Sequence, residues 1–230
     1  MPEFAESVCL SEHGRVLVVI PVLSTQSYGD HGLLECCGKT LLSRAIITAK
    51  RTKCVDRVVV PSMDRSVCLH AQTHGALSFP AQTKVFKSLV GKAIRKVVKF
   101  GSYEPDIVMV LNWRTPLIDH HCLSEIVDAV FSGKGSSVVT VEAEEWVQTI
   151  VSVPETAEEQ WSDAIFDEHD EDFSCIEAPL VRATWFCDWE ESGHFRNGRI
   201  LFFQIPKKLC LEIRTPEDLE KAEDLIGDKS

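Results

Sequence analysis

Residues 15–62 read RVLVVIPVLSTQSYGDHGLLECCGKTLLSRAIITAKRTKCVDRVVVPS, and this stretch decides the fold. Its first and last segments, RVLVVIP and DRVVVPS, are nearly continuous aliphatic runs, as expected for strands buried on both faces of a parallel sheet. Between them, TLLSRAIITAKRT places its apolar residues at helical spacing. A strand, a helix and a second strand in this order predict a βαβ unit.

The same alternation continues along the chain. Further strands are predicted at residues 105–112 (PDIVMVLN) and 136–145 (SSVVTVEAEE), and further helices at residues 65–76, 83–100 and 121–135. This rhythm predicts an α/β fold with a doubly wound, mostly parallel sheet and helices on both faces. Because no internal repeat interrupts it, we expect residues 1–230 to form a single domain.

One segment departs from this rhythm. Residues 144–195 are predicted to form a small excursion before the last strand, and they contain an acidic block at residues 155–172. A solvated loop or surface helix is one interpretation of that block. An arm that packs on a second subunit is the other.

Residues 210–226, CLEIRTPEDLEKAEDLI, predict a short strand that turns directly into a capped helix. Thr215 suits the N-cap, Pro216 suits the first helical position, and Asp218 completes the spacing of a capping box. Glu212 and Arg214 therefore fall at the junction between the two predicted elements.

The composition excludes several classes of protein. A net charge of −11 argues against binding to nucleic acid or to an anionic membrane. The longest apolar run, VLVVIPVL, is too short to span a bilayer. The first residues, MPEFAESVCLSEHGR, lack the pattern of a secretory signal, and the nine cysteines contain no C-x-x-C pair. We therefore expect reduced thiols and a cytoplasmic location.

Two cysteine motifs stand out. The first is DHHC at residues 119–122, and the second is ECCGK at residues 35–39. Metal binding is not predicted for DHHC, because adjacent side chains do not easily converge on one ion and no distant partner pair is evident. Cys36 and Cys37 are interpreted as residues packed beside a turn.

Three segments together resemble the cytidylyltransferases that activate acidic sugars, the CMP-acylneuraminate and CMP-Kdo synthetases. Residues 16–64 resemble the family's first strand ending in Ile-Pro, its nucleotide loop and its first helix. Residues 105–130 resemble a strand followed by a Pro-Leu-Ile-Asp turn that ends at Asp119. Residues 211–226 are similar to the closing Thr-Pro-Glu-Asp-Leu segment, which isoprenoid-pathway cytidylyltransferases also carry.

The resemblance implies transfer of CMP from CTP to an acidic 2-keto sugar, with release of pyrophosphate. It implies nucleotide binding by Pro21, Val22, Leu23, Ser24, Thr25, His31, Lys39 and Asn112. It further implies a catalytic role for Lys39, and Glu212 as a ligand for Mg²⁺ if the protein is active. Arg114 and Arg214 are also predicted to be catalytic, but from their place at the ends of predicted strands and not from the resemblance. Relatives with this fold often pair through an arm, so a homodimer is expected.

The sequence departs from the family at the positions that manage phosphate charge. Val22 and Leu23 follow Ile-Pro where the family has an arginine, and His31 falls about where a lysine stands. Arg114 and Arg214 lie where aspartates are expected. These departures leave two hypotheses open: an enzyme with altered site residues, or a degenerate homologue that binds a nucleotide, sugar or protein partner without turnover.

The two arginines themselves have two interpretations. Both Arg114 and Arg214 fall at carboxyl ends of predicted strands, where open α/β sheets bind ligands. Their guanidiniums are suited to hold phosphate or carboxylate directly, which makes a metal unnecessary. Alternatively, both arginines pair with surface carboxylates such as Asp119 and Glu217.

Overall fold

The computed structural model describes residues 14–23, 32–143, 148–152, 165–167 and 174–227. The strands are β1 (Val16–Val19), β2 (Glu35–Cys36), β3 (Lys39–Thr40), β4 (Val55–Ser62), β5 (Leu77–Pro80), β6 (Ile107–Leu111), β7 (Ser137–Ala143), β8 (Gln148–Ser152), β9 (Ile165–Asp167), β10 (Ser174–Trp185) and β11 (Arg199–Pro206). The helices are α1 (Leu41–Arg51), α2 (Arg65–Thr73), α3 (Phe86–Gly101), α4 (His120–Phe131), α5 (Phe186–Ser192) and α6 (Pro216–Gly227). No helix within these ranges is long and apolar enough to cross a membrane.

One large sheet contains nine of the described strands in the order β5-β4-β1-β6-β10-β7-β11-β8, and β9 pairs with β10. Strands β5, β4, β1 and β6 are parallel, and β11 is parallel to β7. Strand β10 runs antiparallel to both β6 and β7, and β8 runs antiparallel to β11. The predicted mostly parallel α/β sheet is therefore confirmed, with antiparallel strands inserted in its second half.

Helices cover both faces of this sheet, as predicted. Successive side chains of a strand point to opposite faces. Accordingly, Val16 and Val18 belong to a core that includes residues of α1 and α4, whereas Leu17 and Val19 belong to a second core beneath α3 and α5. Strand β1 is fully buried on both sides. This double burial explains why its sequence is a continuous aliphatic run.

The predicted strand at residues 210–214 is wrong. The last described strand of the sheet is β11, and a single 3-10 turn (Lys207–Leu209) follows it before an irregular segment without sheet pairing. This segment lies against the loop after β6, where the Ile213 N–H donates to the Arg114 carbonyl at 2.9 Å. Because β6 already has β1 and β10 as neighbours, it has no edge on which another strand can pair.

Helix α6 begins as its sequence predicts. The Thr215 hydroxyl accepts the Asp218 N–H at 3.2 Å, and the Asp218 carboxylate accepts the Thr215 N–H at 2.9 Å. These two reciprocal bonds form a capping box. The carboxylate also accepts the Arg214 N–H at 3.1 Å, so the cap extends into the segment that precedes the helix.

The predicted excursion at residues 144–195 contains a central element of the sheet. Strand β10 lies within this range, between β6 and β7. Its pairing with β7 shifts register between Glu177 and Arg182, and the Thr140 hydroxyl meets this bulge by accepting the Val181 N–H at 3.1 Å. The acidic block at residues 155–172 lies outside the described residues except for β9. Dimerisation through this region stays a prediction.

Candidate functional site

The candidate site lies at the carboxyl edge of the sheet, between β1 and β6. Strand β1 has β4 on one side and β6 on the other, so the chain builds the sheet outward in both directions from this pair. Open α/β sheets bind ligands in the crevice outside the carboxyl ends of the strands, at such a switch in strand order. The segments that follow β1 and β6 carry most of the predicted site residues.

The segment after β1 continues alongside β4. Pro21 and Val22 are buried and Leu23 is half-buried. The Val22 N–H donates to the Pro61 carbonyl at 3.1 Å, so this amide is already engaged within the protein. Ser24, Thr25 and His31, which are predicted to bind nucleotide, lie outside the described residues.

The segment after β6 is a tight polar turn. The Asn112 side-chain oxygen accepts the Arg114 N–H at 2.9 Å, and the Thr115 hydroxyl donates to the Asn112 carbonyl at 2.8 Å. The Asn112 N–H donates to the Leu180 carbonyl of β10 at 2.9 Å. These bonds fix the turn to the sheet, which places the side chains of Asn112 and Arg114 at its edge.

Trp113 anchors this turn in the hydrophobic core. Its side chain is buried, and the Arg114 guanidinium carbon lies 4.6 Å from its ring centroid. Gly32 approaches the same ring and has a φ of +68°, a backbone conformation that favours glycine. The chain therefore returns from the predicted nucleotide loop directly onto Trp113. Neither Gly32 nor Trp113 is among the predicted site residues.

Hydrogen bonds connect four polar residues at this edge, which we call the Arg–Glu cluster: Asn112, Arg114, Glu212 and Arg214. One carboxylate oxygen of Glu212 accepts from Arg214 Nε at 2.9 Å and lies 2.7 Å from Arg214 Nη2. The other accepts from Asn112 Nδ2 at 3.4 Å. Arg114 Nη1 donates to the Ile213 carbonyl at 3.0 Å. The structure thus brings both predicted arginines to one place.

The structure identifies a carboxylate partner for Arg214, and it is Glu212. The alternative interpretation, pairing with a carboxylate, therefore holds for Arg214. The Asp119 carboxylate accepts the Cys122 N–H at 2.9 Å and caps α4. The Arg214 side chain is 56% exposed and that of Glu212 only 16%. The guanidinium therefore reaches solvent while the carboxylate is held behind it.

Glu212 does not fit a Mg²⁺ ligand in this arrangement. Mg²⁺ is bound by carboxylate oxygens that face the ion. Both oxygens of Glu212 accept hydrogen bonds, and a guanidinium lies against one of them. The cluster is therefore suited to an anion rather than to a metal ion.

Lys39 lies apart from the Arg–Glu cluster. It is exposed in β3, in the hairpin that leads into α1. In the described ranges of the chain, Lys39 makes no hydrogen bond or ion pair with the four cluster residues. Its predicted catalytic role therefore stays a prediction.

A cavity lies at the opposite edge of the sheet, near the amino ends of β1 and β6. Its volume is about 570 Å³, and its lining includes Arg15, Asp106, Phe131 and Trp185. None of the predicted site residues lines it. The cavity and the Arg–Glu cluster are therefore separate features of the fold.

No family model matches the chain. The chain is 30% identical over 123 residues to a 3-deoxy-manno-octulosonate cytidylyltransferase of Anaeromyxobacter sp. (strain Fw109-5). That match covers 52% of this chain and 48% of the relative, so it spans about half of each protein.

Solved structures share the fold over nearly the whole chain. A CMP:2-keto-3-deoxy-manno-octonic acid synthetase complexed with CTP has a TM-score of 0.67 at 12% identity, over 94% of this chain and all of that one. A 4-diphosphocytidyl-2C-methyl-D-erythritol synthase has a TM-score of 0.69 at 13% identity with the same coverage. A second such synthase, from Anaerococcus prevotii, has a TM-score of 0.60 at 11% identity, over 93% and 96% of the two chains. Similarity in sequence to one cytidylyltransferase and in fold to three cytidylyl-sugar and cytidylyl-alcohol synthases confirms that this chain resembles the cytidylyltransferase family.

Proposed function

We propose that the chain binds CTP and an acidic 2-keto sugar at the carboxyl edge of β1 and β6, and transfers CMP between them. A sugar hydroxyl oxygen attacks the α-phosphorus and loses its proton to solvent. The bond from that phosphorus to the oxygen that bridges the α- and β-phosphates breaks, and pyrophosphate leaves with the electron pair. The observation that supports this proposal most directly is the Arg–Glu cluster at the crevice. The sequence relative named as a cytidylyltransferase supports the reaction class.

Phosphoryl transfer depends mainly on positioning and on neutralising negative charge. A guanidinium is a fork of donors that matches phosphate and carboxylate geometry. Arg114 is half-buried and is held by the Ile213 carbonyl and the Trp113 ring, so it is pre-positioned. Arg214 reaches solvent beside it. Both arginines are therefore placed to receive an anionic ligand at the crevice.

A second candidate function is binding of the same ligands without turnover. Two observations favour it: the Val22 N–H is engaged by Pro61, and the Glu212 carboxylate is occupied by Arg214. A lost transition-state donor commonly costs about 10²–10³ in rate. Several such losses together leave a binding protein on the scaffold of an enzyme.

A third candidate function differs from the first in the molecule that accepts the CMP group. Two of the structural neighbours are 4-diphosphocytidyl-2C-methyl-D-erythritol synthases, which are named for a methylerythritol product and not for a sugar acid. The Arg–Glu cluster favours the acid, because a second guanidinium suits a carboxylate in addition to the phosphates. A methylerythritol acceptor therefore belongs in the same assay.

Pyrophosphate release tests these functions. The protein is incubated with CTP and each of several 2-keto sugar acids, with and without Mg²⁺, and its melting temperature is measured with CTP alone. Release that requires both substrates supports CMP transfer. A rise in melting temperature without release supports binding without turnover. If CTP changes neither quantity at high concentration, both candidate functions are wrong.

A further inference from the structure

The hairpin β2–β3 meets helix α6 at two cysteines and one glutamate. A sulfur of Cys36, a sulfur of Cys37 and a carboxylate oxygen of Glu223 all lie within 4.8 Å of one another. The Cys37 N–H donates to Glu223 Oε1 at 2.9 Å, which holds the helix against the turn. These residues are 186 positions apart in sequence, so the fold alone brings them together.

The backbone of the turn explains how adjacent cysteines serve one site. In an extended strand, neighbouring side chains point to opposite faces. Cys36 ends β2, but Cys37 has a φ of +48°, in the left-handed region that non-glycine residues rarely adopt. This conformation breaks the strand alternation between the two residues. Cys36 is buried, as the sequence interpretation expects, whereas Cys37 is exposed.

Arg44 fixes the same turn from helix α1. Its Nε and Nη2 donate to the Cys36 carbonyl at 3.0 and 2.7 Å, and Nη2 donates to the Cys37 carbonyl at 3.2 Å. Groups that hold ligand residues in place tune a metal site nearly as strongly as the ligands themselves. The two cysteines are therefore part of a supported turn rather than a loose loop.

We propose that Cys36, Cys37 and Glu223 bind a thiophilic divalent metal ion of the Zn²⁺ type. Two thiolates and one carboxylate select such ions over Mg²⁺ and Ca²⁺, which prefer oxygen ligands. With Zn–S bonds of about 2.3 Å, two sulfurs of a tetrahedral site lie about 3.8 Å apart. The observed spacing of at most 4.8 Å therefore has to close by about 1 Å at most, and Cys37 is exposed and able to turn.

Metal binding at this site displaces the protons of the two thiols. Each thiol loses its proton to solvent as a metal–sulfur bond forms, so one ion releases two protons, while Glu223 ligates as the carboxylate. The fourth tetrahedral position is left for water. The ion would tie the hairpin that carries Lys39 to the helix that follows Arg214. This proposal concerns a different place from the Arg–Glu cluster and does not rest on the proposed function.

Cobalt provides the probe, because thiolate-to-cobalt charge transfer is visible in the near-ultraviolet. Metal-stripped protein kept in a phosphine reductant is titrated with Co²⁺ and then with Zn²⁺. We expect one equivalent of Co²⁺ to give a charge-transfer band, Zn²⁺ to displace it, and Zn²⁺ to raise the melting temperature. Neither measurement depends on activity, so a failure here leaves the proposed function untouched.

Three variants make the test specific. Cys37→Ser and Glu223→Gln change partly exposed ligands, and each should weaken Co²⁺ binding by at least about 10–100-fold, the loss typical even of supporting residues. Cys187→Ser, which removes another exposed cysteine on α5, should leave binding unchanged. Cys36 is buried, so its variant is not needed for the conclusion. Unchanged binding in both Cys37→Ser and Glu223→Gln, or no saturable Co²⁺ band in the parent protein, overturns the proposal.

Discussion

Two glutamates near the end of the chain each connect it to an earlier part of the fold, and their surroundings differ. Glu212 lies against the Arg214 guanidinium and the Asn112 amide at the crevice. Glu223, eleven positions later in sequence, faces the Cys37 backbone N–H and two thiols. The two carboxylates are chemically identical, but a guanidinium contacts Glu212 directly, whereas Glu223 contacts a backbone N–H and lies near two thiols.

This difference decides which ligand each place suits. A carboxylate beside a guanidinium is neutralised within the protein, so an additional cation gains little there. Arg114 adds a second guanidinium at the crevice, and guanidiniums favour anions. At Glu223 the thiols add ligands without adding positive charge. The comparison therefore leads us to expect an anion at the Arg–Glu cluster and a metal ion at Glu223.

Metal removal is expected to have the largest effect. Zn²⁺ at about 1,000 times its dissociation constant stabilises the folded chain by about 4 kcal/mol. For a chain of this size, that corresponds to a melting temperature about 8–16 °C higher, which EDTA should abolish. The same addition of EDTA should change the CTP affinity, measured by calorimetry, by less than about twofold. This change is small, because a tenfold change in affinity corresponds to about 1.4 kcal/mol. A large loss of CTP affinity in EDTA would falsify the idea that the Arg–Glu cluster binds its anion without a metal ion.

Arg114→Ala is expected to have the next largest effect, at the crevice alone. A charge-assisted hydrogen bond contributes about 1.5–3 kcal/mol, so CTP affinity should fall about 10–150-fold. Arg114→Lys should recover only part of the loss, because lysine lacks the planar fork. Arg199→Ala, an exposed arginine at the start of β11, is the matched control. Equal affinity in Arg114→Ala and the parent chain would remove Arg114 from the site.

Glu212→Gln should act in the opposite direction. It removes the carboxylate that pairs with Arg214, so CTP should bind more tightly, by about 1.4- to fivefold, since a partly exposed ion pair contributes about 0.2–1 kcal/mol. The gain should shrink as salt is added. Glu223→Gln should leave CTP affinity unchanged. If instead Glu212→Gln weakens CTP binding only in the presence of Mg²⁺, Glu212 is a metal ligand and its assignment to an anion site is wrong.

The first half of the sheet was predictable because its strands are buried on both faces. Val16–Val19 and Ile107–Leu111 are wholly buried, so they read as aliphatic runs bounded by helices. Strand β10 carries no such pattern. It contains a register shift and buries Arg182, a residue that sequence patterns assign to the surface. Its place between β6 and β7 therefore had no signal in the sequence.

The candidate site was predictable only in part, for a similar reason. Arg114 and Arg214 were identified because they interrupt family motifs at the crevice. The pairing of Arg214 with Glu212 depends on how the irregular segment lies against the loop after β6, through the bond between Ile213 and Arg114. The approach of Glu223 to Cys37 spans 186 positions. No local spacing encodes contacts of that kind.

The smallest expected effect concerns the N-terminal cap of α6, because this helix connects the Arg–Glu cluster to Glu223. Partial desolvation opposes ionisation of Asp218, but hydrogen bonds from Arg214 and Thr215 outweigh it and lower the pKa of this carboxyl. The stabilisation is therefore complete above the unfolded pKa of about 3.9 and is lost as pH falls through the lower folded value. Asp218→Asn keeps an acceptor oxygen but loses the charge at the helix start, so it should cost about 0.3–1 kcal/mol at pH 7, or up to about 4 °C in melting temperature.

Thr215→Ala is the matched control for this cap, because a hydroxyl does not titrate in this range. Its cost should remain nearly constant with pH, whereas the cost of Asp218→Asn should vanish as pH falls through the lowered folded-state pKa of the parent carboxyl. Because Asp218 also accepts the Arg214 N–H, its loss should disturb the Arg–Glu cluster before it disturbs the metal site. CTP affinity should therefore fall slightly in Asp218→Asn while Co²⁺ affinity stays constant. Equal losses at both places would mean that α6 moves as one rigid unit and that the two glutamates are coupled.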